Sequence, residues 1–296
     1  MPVLVAQQLQ QALDALASQP TSLVLAGGTD AMVLINGGHV SPISIISIAR
    51  ISELSGWSFD PQTQSLRLGA CLTYHQLMQA PLAQWVPALA QAARTVGSPQ
   101  IRHAATIGGN IATCSPAGDG LPVLAALDAI IHLQSSNESR DLPFTDFMVG
   151  PKRSDRRADE LVVGVSVPVL DGWQGYAKVG VRNAMVISIA GACLTVGRAV
   201  AFGSVDGDAS TASPVVRLAL GSVGPTIVRC GNAEAFANRV VDFDQRCVSA
   251  ADLQTFGAIA ADECSPIDDH RSTAQYRRHA VAALAGRLLR RAFPNE

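Results

Sequence analysis

Charged side chains are scarce, at 16% of 296 residues against 48% hydrophobic. So little charge cannot coat an isolated monomer in the usual way, and part of the surface is expected to be covered by partners. Nor is there an excess of one sign: 22 basic residues stand against 24 acidic ones, a net charge of -2. That balance offers no general attraction to nucleic acid or anionic lipid, and both partner classes are set aside. Long apolar runs are missing. No stretch nears the roughly 18 residues a membrane span needs, and "MPVLVAQQLQ" has neither a basic n-region nor a cleavable h-region, so a cytoplasmic location is expected. Cys71, Cys114, Cys193, Cys230, Cys247 and Cys264 form no Cys-x-x-Cys knuckle for metal or redox work. Free, mostly buried thiols are the expectation.

What is present reads as helices and strands in a chain long enough for two domains. "VAQQLQQALDALAS" sets Leu9, Ala12, Leu13, Leu16 and Ala17 on one helical stripe, followed by the apolar "SLVLAGG". "SPISIISIAR" alternates Ile43, Ile45 and Ile48 as a short strand, so the first ~55 residues predict a small α/β unit. "SLRLGACLTYHQLMQ" is a strand entering a helix capped by Thr73, and "WVPALAQAARTVG" a helix terminated by Gly97 and Pro99. "LPVLAALDAIIHL" is a helical turn running into a strand, and "DELVVGVSVPV" a strand ending at Pro168, where the domain boundary is placed. Beyond it, "GYAKVGVR", "ISIAGACLTVG" and "VVRLALGSVG", with turns such as "VDGDAS", predict an antiparallel meander. The last helix, "TAQYRRHAVAALAGRLLRRAF", sets an Ala and Leu stripe opposite Arg277, Arg278, Arg287, Arg290 and Arg291, a solvated or partner-facing basic face.

Two Gly-Gly segments stand out, "LVLAGGTDAMV" from Leu23 and "ATIGGNIATCSPAGDG" from Ala105. Glycine permits positive φ and close backbone approach, so successive N–H groups can converge on an anion, most often a phosphate. One such pair after a strand is usually only a tight turn. Two with matching polar followers could anchor a diphosphate without a nearby Lys or Arg, each hydrogen bond to the charged group contributing on the order of 1.5–3 kcal/mol. No G-x-x-x-x-G-K-[ST] and no helix-opening G-x-G-x-x-G is present, which disfavours nucleotide-triphosphate and Rossmann sites. Ser115 and Asp119 have no histidine placed to complete a hydrolase triad, and no base is placed to activate Cys114. His75 and His103 lack metal-ligand spacing.

Taken in order, "LAGGTD", "ATIGGNIATCSPAGDGLPVLAALDA", "DELVVGVSVP" with Glu160, "YAKVGVRNAMVISIAGA" and "DDHRSTAQYRRHAVAALAGRLLRRA" resemble the flavin-binding subunit or domain of molybdenum hydroxylases, the group of xanthine dehydrogenase and carbon monoxide dehydrogenase. The resemblance covers nearly the whole chain. It implies an α+β chain: a two-subdomain FAD-binding domain of the vanillyl-alcohol-oxidase/PCMH type over 1–170 (subdomains about 1–55 and 56–170), then a C-terminal domain over 171–296 with a small antiparallel sheet and helices. It places Val24, Leu25, Ala26, Gly27, Gly28, Thr29, Asp30 and Ala31 around the FAD diphosphate, with Gly27, Gly28 and Thr29 as donors. Thr106, Gly108, Gly109 and Asn110 would form a second jaw, with Ser115 and Asp119 reaching polar cofactor atoms in the loop beyond. Val96 would lie near the flavin or its access route, Val163 would touch the ring through main chain, and Lys178 would add a polar or charged contact. Val96 stands where some xanthine dehydrogenases carry an aromatic residue. His39 falls outside the matched motifs, and a non-covalent flavin with an exposed loop histidine is expected.

The implied function is an electron relay with no catalytic side chain of its own, because the cofactor carries the chemistry. Hydroxylation would occur at a molybdenum cofactor in a large subunit, and electrons would pass through two-iron two-sulfur clusters in a small subunit to FAD here and on to a terminal acceptor. A dimer of such heterotrimers is the implied assembly. The ungrouped cysteines agree with clusters held elsewhere, since a two-iron cluster normally needs four thiolates. Two rivals are a stand-alone FAD-dependent reductase of the same cofactor fold and a flavin-free interaction module in which the Gly-Gly turns are merely structural.

Overall fold

The computed structural model describes residues 1–198 and 213–294, so the "VDGDAS" turn lies outside the described residues. Strands β1 (Val3–Val5), β2 (Leu23–Leu25) and β3 (Ile45–Ser47) form a parallel sheet in the order β1-β3-β2. The helix Leu9–Ser18 buries Ala12, Leu13 and Leu16 in a core shared with Leu4, Val24 and Ile46. Each such leucine contributes roughly 1.5–3 kcal/mol of burial. Ala17, expected on the stripe, is exposed, because the inward arc ends at Leu16. The expected alternation of Ile43, Ile45 and Ile48 also fails. As the central strand, β3 is covered on both faces, so Ile45 and Ile46 are both buried while Ile43, before the strand, is 64% exposed.

The next unit is an antiparallel sheet. Its strands are β4 (Trp57–Asp60), β5 (Ser65–Gly69), β6 (Ile130–Gln134) and β7 (Ser139–Pro143), followed beyond the small β8 (Met148–Gly150) and β9 (Arg153–Ser154) hairpin by β10 (Leu161–Pro168). The order is β4-β5-β10-β6-β7, with β10 central and buried at every residue. Leu161 and Val163 face the N-terminal core and Val162 the larger one, and a bulge between Val162 and Gly164 shifts the alternation so that Val165 and Val167 also face the larger one. Between β5 and β6 the chain makes a series of short helices. Thr73 caps Tyr74–Leu77 through a full capping box, as expected. Gly97, at φ +43°, follows the end of Pro87–Thr95, but Pro99 terminates nothing: it is the first residue of a new helix, Pro99–Ala104, capped by Ser98. Proline suits that position because its missing N–H would have had no helical partner.

The meander forms as expected: β11 (Gly172–Val179), β12 (Ala190–Gly197), β13 (Val215–Gly221) and the short β14 (Val228–Arg229) make an antiparallel sheet. Every residue of β12 is buried. Cys193 joins the core of the preceding unit, while Ala192 and Leu194 face helices Gly231–Val240, Ala250–Asp262 and Ala274–Ala292. A two-part first half followed by a small antiparallel sheet with helices is the expected α+β architecture. Arg277, however, leaves the basic face of the last helix. It is 4% exposed, donates to the Ile189 and Ser222 carbonyls and pairs with Asp269 at 2.7 Å. Those strand-end carbonyls need a donor, and the long guanidinium supplies one; Arg278, Arg287, Arg290 and Arg291 stay on the outer side of the helix.

Candidate cofactor site

The first Gly-Gly segment joins β2 to the short helix Ala31–Asn36. Gly28 has φ +72°, a conformation that favours glycine. Gly27 has no room for a side chain: a Cβ there would fall on the Ala104 carbonyl. Among the described residues, the N–H groups of Gly27, Gly28, Thr29 and Asp30 donate to no protein acceptor. Successive free amides beside a left-handed residue are available to an anion.

The second segment behaves differently. Gly108 and Gly109 lie not in a loop but in the first turn of the helix Ile107–Thr113, whose N-cap is Thr106. Its amides are already committed: Ile107 to the Leu72 carbonyl, Gly108 to Ala70, Gly109 to Thr106 Oγ1 and Asn110 to the Thr106 carbonyl. The second jaw is therefore no amide nest. Its glycines serve packing, since a Cβ on Gly108 would strike Ala70. The two segments nevertheless meet, through Gly27 against Ala104 and Ala105 and through Thr113 Oγ1, 3.4 Å from Asp30 Oδ2. Asn110 Oδ1 accepts from Tyr74 Oη at 2.7 Å, and Ser115 Oγ accepts from the Ala117 N–H.

Asp119 and Lys178 find each other. Lys178 Nζ lies 2.6 Å from Asp119 Oδ2, 3.0 Å from the Thr95 carbonyl and 3.1 Å from that of Val186, which occupies all three ammonium donors. Tyr176 Oη donates to Asp119 Oδ1 at 2.9 Å, and Thr95 Oγ1 lies 3.1 Å from Oδ2. Burial pushes the Asp119 carboxyl up, opposed by Lys178 and the Tyr176 and Thr95 hydroxyls. Burial, then the Asp119 charge, raises the Tyr176 phenol. Val96, partly buried, ends the Pro87–Thr95 helix, and its carbonyl accepts from Arg102, as does that of Gly97. The Val163 carbonyl accepts from the Ala70 N–H. Tyr176, Thr95, Tyr74 and Arg102 were not anticipated. Tyr176 and Lys178 sit two apart on one strand and thus on one face, the one signal the sequence offers.

Other constellations lie apart. Ser166, His132 and Asp141 line up as serine, histidine and aspartate, at 2.6 Å and 2.7 Å. All three are on paired strands, with Ser166 on central β10, so the nearby main-chain N–H groups belong to sheet ladders and no oxyanion hole faces the hydroxyl. Burial lowers the His132 pKa. His75 and His103 stack with ring centroids 3.9 Å apart, and His39 is exposed. Glu160 receives Arg140 through two nitrogens, at 2.7 and 3.0 Å, and the Arg157 N–H. Burial opposes its ionisation, yet these donors hold its carboxyl below the usual range. The cysteines are free, five buried and Cys247 half-buried. Among the described residues no three His, Cys, Asp or Glu gather to hold a metal, and no helix is long and apolar enough to cross a membrane.

Residues 1–170 match the model of the FAD binding domain in molybdopterin dehydrogenase, and residues 176–292 that of the CO dehydrogenase flavoprotein C-terminal domain. The chain belongs to this family and is an FAD-carrying oxidoreductase subunit of the multi-subunit molybdenum hydroxylase class. It is 29% identical to a putative xanthine dehydrogenase FAD-binding subunit of Escherichia coli (96% of this chain, 93% of the relative). It is 30% identical to the glyceraldehyde dehydrogenase medium chain of Sulfolobus acidocaldarius (94% and 93%). Its structure is similar to that of carbon monoxide dehydrogenase from Hydrogenophaga pseudoflava lacking the Mo-pyranopterin moiety of its molybdenum cofactor, with TM-score 0.82, 26% identity and 99% and 95% of the two chains covered.

Proposed function

We propose that this chain is the electron-relay subunit of a molybdenum hydroxylase, with FAD held by its diphosphate at the Gly27–Asp30 amides. One observation carries the reading: four unpartnered amides at a positive-φ turn, pressed by Gly27 against the backbone before Thr106. These residues fit a diphosphate, whose oxygens accept and need no cation when enough N–H groups converge. Val24, Leu25, Ala26 and Ala31 frame them. Thr106, Gly108, Gly109 and Asn110 supply the wall behind, with hydroxyl and carboxamide donors in place of amides. Ser115 and Asp119 line the loop beyond, and Val96, Val163 and Lys178 border the flavin ring.

Bound FAD supplies a carrier that takes up electrons singly and hands them on. The chain's part is to bind and orient it, with no general acid or base. In this reading residues 1–170 form the FAD-binding domain, divided near residue 55, and 171–296 the C-terminal domain. The partners are a large molybdenum-cofactor subunit and a small subunit with two-iron two-sulfur clusters, paired as a dimer of heterotrimers in the cytoplasm. Purification under mild conditions tests this. A yellow chain with one FAD, recovered with a large molybdenum subunit and a small Cys-rich one, is expected. A colourless chain, or a homo-oligomer that reduces a small substrate with NADPH, contradicts it.

A further inference from the structure

The seam between the FAD-binding half and the C-terminal sheet holds a closed set of polar groups. Asp119 comes from the loop after the helix Ile107–Thr113, Thr95 from the end of Pro87–Thr95, and Tyr176 and Lys178 from β11. The side chains of Asp119 and Lys178 are each 8% exposed. Tyr176 is 5% exposed and is fixed at both ends: its N–H donates to Gln91 Oε1 at 2.8 Å and its hydroxyl to Asp119 Oδ1. Gly191, opposite Lys178 on β12, leaves space for that hydroxyl, since a Cβ there would lie 3.1 Å from it. With the Lys178 ammonium fully occupied, what the lysine adds to a neighbouring ring is charge, and Asp119 decides how much of it is felt.

We propose that Tyr176 is a positioning residue that holds the Asp119 carboxylate against Lys178, so that the lysine's charge is balanced beside the flavin. This rests on the reading that Lys178 borders the FAD ring. A buried carboxylate stays ionised only while enough donors face it. Those facing Asp119 are Tyr176 and Lys178 from β11 and Thr95 from the helix, and the hydroxyl of Thr95 also serves the Ala92 carbonyl at 2.7 Å. The Tyr74 phenol, raised by burial and then by the Asp119 charge, is near and uncharged. Removing the Tyr176 hydroxyl leaves Oδ1 without its donor. The carboxylate, then held only by Lys178 and Thr95, is free to turn from the ammonium, and the charge of Lys178 is less fully balanced beside the flavin. Because reduction adds negative charge to the flavin, an unbalanced lysine favours the reduced form.

The test is the flavin midpoint potential and the FAD dissociation constant of the assembled protein, measured for wild type, Tyr176→Phe and Gly191→Ala. The second variant displaces the hydroxyl without deleting it. Both are expected to keep FAD affinity within about fivefold. At fixed ambient potential the ratio of reduced to oxidised flavin should rise at least tenfold, about 30 mV for a two-electron couple. A lower melting temperature with an unchanged potential overturns the proposal, because that is all a structural tyrosine would show. A potential unchanged in the variant that folds, should only one fold, overturns it equally. Wild-type protein without flavin overturns the underlying assignment of the FAD site instead, and this inference with it.

Discussion

Gly27 is where a single atom matters most. A methyl group there overlaps the Ala104 carbonyl, and only backbone movement can relieve it, at about 1–3 kcal/mol for an overpacked site. That movement displaces the free amides of Gly28 and Thr29 as well, so Gly27→Ala is expected to weaken FAD binding at least a hundredfold, read by fluorescence titration. Glu160 illustrates a different residue effect. Its folded carboxyl titrates below the unfolded one, so its contribution to stability is present above the ordinary glutamate range and lost as pH falls through the lowered value. Glu160→Gln leaves Arg140 with Asp155, at 2.8 Å, as its remaining carboxylate, and urea melts at neutral pH should show a loss of about 1–3 kcal/mol. The difference from wild type should shrink as pH drops. Asp119 has the opposite sign, since its raised carboxyl makes the ionised form the costly one and protonation on acidification relieves it.

At the scale of elements, the helix Ile107–Thr113 is short and holds two glycines, so its start depends on Thr106. Thr106→Ala removes the acceptor for the Gly109 N–H and is expected to cost about 1 kcal/mol, measurable as a shifted denaturation midpoint. The elements themselves were largely legible, because periodicity and capping residues are local: the Leu9–Ser18 stripe, the Thr73 cap and the run through β10 each announce their structure within a few residues. The misread details depend on what lies across space. Pro99 looks like a stop until Ser98 is seen to cap a new helix, and strand alternation alone does not show that Val165 and Val167 face a different core from Leu161 and Val163, because a bulge in the pairing with β6 shifts it. Arg277 is in helical phase with Ala280, Val281 and Leu284, so only its charge assigns it to water, and strand-end carbonyls satisfy that charge inside. Of the candidate site, the Gly-Gly segments were legible as a pair, but not that the second had all its amides committed, because Leu72 and Ala70, the acceptors for Ile107 and Gly108, lie on another segment. The union of Asp119 with Lys178, 59 positions on, left no local mark.

Over the whole molecule, the C-terminal sheet is a wall shared by two cores. β12 faces the FAD-binding half through Cys193 and the closing helices through Leu194, and Arg229 crosses the same seam to the Ala125 carbonyl and to Asp128. Such sharing couples the halves, so Leu194→Ala, at a fully buried site, should cost about 2–5 kcal/mol and lower the melting temperature of the chain as one transition. FAD should raise that single transition by mass action, checked by calorimetry with increasing FAD. The central claim is that the cofactor is gripped by its diphosphate at the Gly27–Asp30 amides, and comparing FAD with riboflavin by titration calorimetry tests it most directly. Three or more amide bonds to a charged group should make FAD bind on the order of a thousandfold tighter than riboflavin, and Gly27→Ala should erase most of that gap. Equal affinity for the two, or a gap that survives Gly27→Ala unchanged, would contradict the account.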